Sequence, residues 1–175
     1  MPYIIFFFLT YLVIGFQIGL FPAIEIVGGM INLIVIILIS TFFLEIEKEG
    51  LIFSIVLAIA FDIYFYLPIG LSVVAVLIIY ALLNIFRQKI IEKTNYFFIA
   101  SIIFAAVVIF DLILFIGNSI ASGHFVFERL FLSLLPDALI NFIIAIPLFI
   151  IIQYLIKILA VYRIIDVKKS KIKVE

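Results

Sequence analysis

Cysteine is absent from the 175 residues, and histidine occurs only once. Without a thiol the chain can form neither a disulfide nor a thiolate metal site. Charge is scarce too: 13% of the residues are charged and 69% are hydrophobic, whereas a soluble domain is about a quarter charged and about half apolar. This scarcity excludes an ordinary soluble domain and predicts an integral membrane protein.

The few charges that are present cancel. Eleven Lys and Arg residues stand against eleven Asp and Glu residues, so the formal net charge is zero. A chain without a net positive field has no long-range attraction for a polyanion. We therefore expect no nucleic-acid partner.

Charges and turn residues divide the chain into apolar blocks of about the 20 residues that cross a bilayer. Residues 50–86 form a block that is too long for one crossing, and Leu67-Pro68-Ile69-Gly70 near its middle has the composition of a tight turn. We therefore predict an all-α bundle of six transmembrane helices. The predicted spans are 3–22, 26–44, 51–67, 70–86, 96–116 and 137–159. We expect Pro147 to kink the last span, and residues 118–135 to form an external loop followed by a short interfacial helix.

The basic residues orient this bundle. All eleven Lys and Arg residues except Arg129 fall on one side of the six predicted spans, so the positive-inside rule places both termini in the cytoplasm. The first apolar run has no basic segment before it and no small-residue cleavage site after it, so we expect an uncleaved first helix. Residues 160–175 form a basic cytoplasmic tail, which suits an anionic lipid surface or simple positive-inside anchoring.

Residues for catalysis are hard to assemble. His124 and Glu128 share the spacing of one helix face, but two ligands without a third make a poor metal site. The serines lie in neither a G-x-S-x-G elbow nor an S-x-x-K pair. We therefore expect no enzyme, no cofactor and no metal site.

Three aspartates fall in the outer half of the predicted membrane; a charge at the middle of a membrane costs about 2.5–3.5 kcal/mol. Asp62 and Asp111 could each be a buried carboxyl bonded to a neighbouring helix, or could line a polar cavity or partner surface. Asp137 follows Pro136 and could instead cap the last helix. The candidates for a polar interior or a partner contact are Asp62, Asp111, Asp137, Arg129 and Asn141.

Small residues in the first predicted span indicate helix packing. Gly15 and Gly19 are four residues apart, which allows a second helix to approach the backbone closely. That helix could belong to this chain or to a partner.

These features resemble the MreD family, the small membrane subunits of the bacterial rod-shape system. The resemblance rests on the six predicted helices and on residues 50–84, GLIFSIVLAIAFDIYFYLPIGLSVVAVLIIYALLN, in which Asp62 precedes the turn glycine Gly70 by eight residues. Pro22 before the second span and residues 135–157, LPDALINFIIAIPLFIIIQYLIK, also fit. The likeness covers nearly the whole chain.

The resemblance implies a non-enzymatic scaffold in the bacterial inner membrane. Such a scaffold associates with an MreC-like bitopic protein and works with an MreB-like filament and the glycosyltransferase and transpeptidase of sidewall peptidoglycan synthesis. The family fold is also similar to the substrate-binding subunits of energy-coupling-factor transporters, so a vitamin or metal-ion binding subunit is the alternative. Those subunits often carry an alanine pair in the first helix for docking, and here Gly15 and Gly19 occupy that place.

Overall fold

A computed structural model describes residues 12–13, 15–20, 30–87, 95–125 and 127–161, with only the backbone described at residues 18, 20, 127–133 and 159–161. Over these residues the chain is all-helical. A π-helical turn, Phe16–Leu20, precedes five α-helices. They are α1 (Leu33–Phe43), α2 (Glu47–Tyr64), α3 (Leu71–Ile85), α4 (Tyr96–Ser122) and α5 (Phe127–Val161).

Helix α1 is the centre of the bundle. Every one of its residues is buried, and α2, α4 and α5 pack around it. Because its sequence, LIVIILISTFF, is apolar on all sides, it has no face that favours water. The helix begins at Leu33, and residues 30–32 are non-helical, so the helix predicted from residue 26 starts later than expected; residues 26–29 lie outside the described part.

Helices α2 and α3 form a hairpin around the predicted turn. Gly70, at φ 95°, adopts the left-handed conformation that favours glycine and directly precedes α3. The backbone N–H of Leu71 donates to the carbonyl of Pro68 at 3.0 Å, which closes the turn. The structure thus places Pro68 and Gly70 between two antiparallel helices.

Helices α4 and α5 depart from the prediction at their connection. Helix α4 continues through Asn118 to Ser122 and ends where Gly123 takes a positive φ of 73°. Helix α5 already begins at Phe127 and passes through both Pro136 and Pro147. The prediction of a loop and a separate short helix over residues 118–135 is therefore wrong. The polar residues 118–119 belong to α4, and Pro136 lies inside α5.

Aromatic contacts set the antiparallel register of α4 and α5. Tyr96 packs edge-on against Phe149, and both Phe97 and Phe104 contact the ring of Phe142. The beginning of α4 therefore lies beside the middle of α5, at Phe142 and Phe149.

The bundle has two distinct ends. At one end, Arg87, just beyond α3, forms an ion pair with Glu47 at the start of α2. Arg87 Nη1 lies 3.2 Å from Glu47 Oε2. The Arg87 guanidinium also lies 5.8 Å from the centre of the Phe42 ring. At the other end lie the α2–α3 turn and the end of α4, where Gly117 meets Leu71. We call this second end the acidic end, since it contains Asp62, Asp111 and Asp137.

Two of the described helices are long and apolar enough to cross a membrane, α4 and the Leu134–Ile158 part of α5. Helices α1 and α3 are apolar but shorter. This pattern is the one expected of a membrane-associated helical protein.

Candidate functional site: a polar network at the acidic end

Asp62 is fully buried and holds the start of the neighbouring helix. Its Oδ2 accepts the N–H of Gly70 at 2.7 Å, and its Oδ1 accepts the N–H of Ser72 at 3.1 Å. The first N–H groups of an α-helix have no partner within that helix. Asp62 on α2 supplies this partner to α3. The eight-residue spacing to Gly70 covers the last residues of α2 and the turn that joins the two helices.

Residues 30–32, which we call the entry segment, run non-helically into α1 and are held by side chains from elsewhere in the chain. Asp137 Oδ1 accepts the N–H of Met30 at 2.5 Å. Asn141 donates from Nδ2 to the carbonyl of Met30 at 2.8 Å and accepts the N–H of Asn32 at Oδ1, also at 2.8 Å. One turn of α5 therefore binds the backbone of this segment through both edges of an amide and one carboxylate.

Gln17, which precedes the entry segment in the sequence, also binds its backbone. Its Nε2 donates to the carbonyl of Ile31 at 3.0 Å, and its Oε1 accepts the N–H of Leu33 at 2.7 Å. Asn32 caps α1 by accepting the N–H of Val35 at 3.1 Å. Buried backbone groups outside a helix must be paired in an apolar environment, and these side chains pair them.

Gln17 and Asn32 are members of the polar network that the sequence analysis did not identify. A signal was available, since each is a lone polar amide in an otherwise apolar run. Only the fold shows that Gln17 reaches across fourteen residues of chain to Ile31.

Asp137 does not cap its own helix. Helix α5 begins at Phe127, ten residues earlier, so Asp137 lies inside it and its carboxylate bonds to Met30 instead. The capping interpretation is therefore wrong, because the proline at 136 does not start a new helix.

Asp111 contrasts with the other two aspartates. Its Oδ2 is buried, and it has no hydrogen-bond partner among the residues that the structure describes. Asp111 lies on α4, which packs against α5, the helix that carries Asp137. Asp62 lies at the same level, since the rings of the preceding residues, Phe61 and Phe110, are in contact at 6.4 Å between centroids.

The remaining predicted residues have separate environments. Arg129 lies in the first turn of α5, and its side chain is outside the described part, as is that of Glu128. His124 is exposed in the α4–α5 connection. Within the described ranges no group of three His, Cys, Asp or Glu side chains is arranged to hold a metal ion.

Close helix contact occurs at glycines other than the predicted pair. A Cβ added at Gly15 or Gly19 would meet no described atom within 4 Å. A Cβ at Gly50 would lie 1.8 Å from Thr41 Oγ1, and one at Gly117 would lie 2.2 Å from Leu71 Cδ1. Gly50 and Gly117 therefore carry the close α1–α2 and α3–α4 approaches.

An apolar groove of about 360 Å³ lies between α3 and α4, away from the polar network. Its lining is aliphatic and aromatic: Ile79, Leu83, Phe86, Phe98, Ile102 and Ile109. With no polar group to fix an orientation, the groove lacks the few directed contacts of a small-molecule site.

The polar side chains at the acidic end thus act mainly on the protein's own backbone, and the Asp111 carboxylate is the exception. Comparison with known proteins adds no relative: no protein-family model, no curated protein and no solved structure matches this chain.

Proposed function

We propose that this protein is a non-enzymatic, multi-pass scaffold of the bacterial inner membrane, similar to MreD. In this role it binds an MreC-like bitopic partner and so helps to organise sidewall peptidoglycan synthesis. The proposal rests on the sequence resemblance and on one observation: Gln17, Asp62 and Asn141, three buried polar side chains, bind backbone groups of the protein itself.

The use of those side chains supports a scaffold. Asp62 binds the first N–H groups of α3, while Gln17 and Asn141 bind the backbone of the entry segment. A catalytic group needs a position from which it reaches a substrate, whereas these groups are occupied inside the fold. A bundle held together by such internal hydrogen bonds presents a defined shape to a partner.

We propose further that the chain crosses the membrane six times with both termini in the cytoplasm. The basic residues favour this orientation, because all except Arg129 then lie on the cytoplasmic side. The two ends of the bundle support it too, since the Glu47–Arg87 pair lies at the end opposite the acidic end. The acidic end then faces outward.

Depletion of the protein in its rod-shaped host tests the function. We expect wall synthesis to lose its sidewall localisation and the cells to become round, with rescue by the wild-type gene. Purification from mild detergent should recover a bitopic membrane protein together with this chain.

The transporter alternative gives the opposite result. A growth defect that external vitamin relieves, in cells of normal shape, would contradict the scaffold and support a substrate-binding subunit.

A further inference from the structure

Tyr66, at the tip of the α2–α3 turn, has a backbone conformation that its residue type does not favour. Its φ is 53°, in the left-handed region, just beyond the end of α2 at Tyr64. The N–H of Leu67 donates to the carbonyl of Asp62 at 2.9 Å, so α2 ends in a Schellman motif with Tyr66 as its left-handed residue. Glycine usually occupies that position, because a side chain raises the free energy of left-handed backbone. A tyrosine there opposes the local preference of the backbone.

The described fold gives the Tyr66 ring almost nothing to contact, since the residue is 94% exposed. The backbone that carries the ring is nevertheless held firmly. Asp62 accepts the N–H groups of Gly70 and Ser72, and the N–H of Leu71 closes the turn on the carbonyl of Pro68. The turn therefore projects the ring away from the bundle, toward a surface that lies outside the described part of the protein.

The residues around Tyr66 are exposed and apolar as well. Ile63 is 60% exposed and Ile69 is 77% exposed, and residues 63–71, IYFYLPIGL, contain no charge. Ile63 also continues a line of exposed apolar side chains along one face of α2, formed by Ile52, Val56 and Ile59. An uncharged, exposed apolar surface of this kind is typical of contact with a membrane or a protein.

The same helix ending occurs at the opposite end of the bundle with a different residue. After α1, Glu45 has a φ of 60°, and the N–H of Ile46 donates to the carbonyl of Thr41 at 3.1 Å. Glu45 is exposed, and a carboxylate in that place favours water. A tyrosine combines an apolar ring with a hydroxyl tip, which suits the boundary between hydrocarbon and water. The two matched positions therefore indicate water at one end and a lipid boundary at the other.

We propose that the α2–α3 turn is an interfacial anchor, in which the ring of Tyr66 lies among the headgroups of a lipid bilayer and Ile69 lies in the adjoining apolar layer. The level of the turn fits this role. Leu71, directly after the turn, meets Gly117 shortly before α4 ends at Ser122, and α4 is one of the two helices long enough to span a membrane. Because the Asp62 hydrogen bonds fix the turn, the anchor sets the depth of the α2–α3 hairpin in the bilayer.

The anchor goes beyond the proposed scaffold function. It depends neither on the bitopic partner nor on which side of the membrane the acidic end faces. A depletion experiment that contradicts the scaffold would therefore leave the anchor untouched, and the failure of the anchor would leave the scaffold untouched.

Tryptophan fluorescence tests the anchor, since the chain contains no tryptophan of its own. In full-length Tyr66→Trp, reconstituted in phosphatidylcholine vesicles, the single indole reports its own depth. We expect stronger quenching by lipid brominated near the headgroup than by lipid brominated near the bilayer centre. Glu45→Trp is the matched control, because it occupies the same left-handed position at the other end. We expect aqueous acrylamide to quench it more strongly than Tyr66→Trp.

Three results would overturn the proposal. Acrylamide quenching as strong as in Glu45→Trp, without quenching by brominated lipid, would place the turn in water. Stronger quenching by the deeply brominated lipid would place the ring in the hydrocarbon core. Protection from both kinds of quencher would show that protein covers the turn, as in a contact with a second copy of this chain.

Tyr66→Gly separates the anchor from a role inside the fold. Glycine fits the left-handed backbone and the exposed ring has little internal contact to lose, so we expect an unfolding midpoint in detergent within a few degrees of the wild type. Asp62→Leu should unfold at a clearly lower temperature under the same conditions, because it removes the acceptor of the Gly70 and Ser72 N–H groups. A loss in Tyr66→Gly as large as in Asp62→Leu would show that the ring packs within the fold, and the anchor would be wrong.

Discussion

The three aspartates of the acidic end show how one residue type takes different roles according to the backbone groups within reach. Asp62 meets two free N–H groups at the start of α3, and Asp137 meets one at Met30. Asp111 meets none among the described residues at its buried oxygen. The sequence context of each is an apolar helix, so the difference comes entirely from what the fold brings beside it.

Two replacements of Asp62 should show how much its hydrogen bonds contribute to the stability of the fold. In Asp62→Leu the N–H groups of Gly70 and Ser72 lose their acceptor, and each unsatisfied buried donor costs about 1–3 kcal/mol. Asp62→Asn keeps one carbonyl oxygen, so we expect it to be clearly less damaging. Unfolding in detergent measures both, and a leucine variant as stable as the wild type would show that these two bonds contribute nothing.

Gly50 should be intolerant of even one methyl group. Its added Cβ would lie 1.8 Å from Thr41 Oγ1, on the buried helix α1, so we expect Gly50→Ala to destabilise the protein by about 1–3 kcal/mol through overpacking. Gly15→Ala is the matched control, because a Cβ there meets no described atom within 4 Å. Equal melting temperatures for the two variants would contradict the α1–α2 contact.

At the scale of elements, α1 explains why the polar network exists. The helix is only 11 residues long and entirely buried, and its entry segment is non-helical. Non-helical backbone that is buried from water must find its hydrogen bonds within the protein. Gln17, Asp137 and Asn141 supply them here.

Replacement of Asn141 should therefore destabilise the protein more than replacement of an asparagine that bonds only within its own helix. Asn141→Leu removes the partners of the Asn32 N–H and the Met30 carbonyl, and we expect a cost of about 1–3 kcal/mol for each group left unpaired. Asn84→Leu is the control, since among the described residues Asn84 Nδ2 donates to the carbonyl of Tyr80 within its own helix. Chemical unfolding compares them; an equal loss of stability would argue against a special role for Asn141 in holding the entry segment.

At the scale of the whole molecule, the two ends differ in chemistry. One end carries the exposed Glu47–Arg87 ion pair, and the other carries buried aspartates and the apolar α2–α3 turn, where Tyr66 is 94% exposed. Exposed ion pairs suit an aqueous face, and exposed tyrosines suit a membrane interface.

The proposed orientation predicts opposite labelling at the two ends. The chain has no cysteine, so Ser122→Cys at the end of α4 and Ser170→Cys in the basic tail each introduce a single reporter. In intact spheroplasts an impermeant thiol reagent should label position 122 and not position 170. Labelling of both positions from outside would contradict the six-span topology.

The sequence by itself determined the helical class, the apolar character and the α2–α3 turn. These properties depend on composition and on local chemistry: apolar residues without charge favour helices in a membrane, and Pro68 with Gly70 ends one helix before the next. The position of Asp62 beside the turn could also be inferred, because Asp62 lies within two helical turns of Pro68 and Gly70 in the sequence.

Only the tertiary structure decided which groups the polar residues bind. Gln17, Met30 and Asn141 are far apart in the sequence, and no local rule pairs an amide in α5 with the backbone before α1. The same holds for helix ends: α4 extends to Ser122 and α5 passes through Pro136 because packing between them compensates for local preferences. Local sequence determined that helices and the α2–α3 turn form, whereas long-range contacts determined the hydrogen-bond partners of the polar residues.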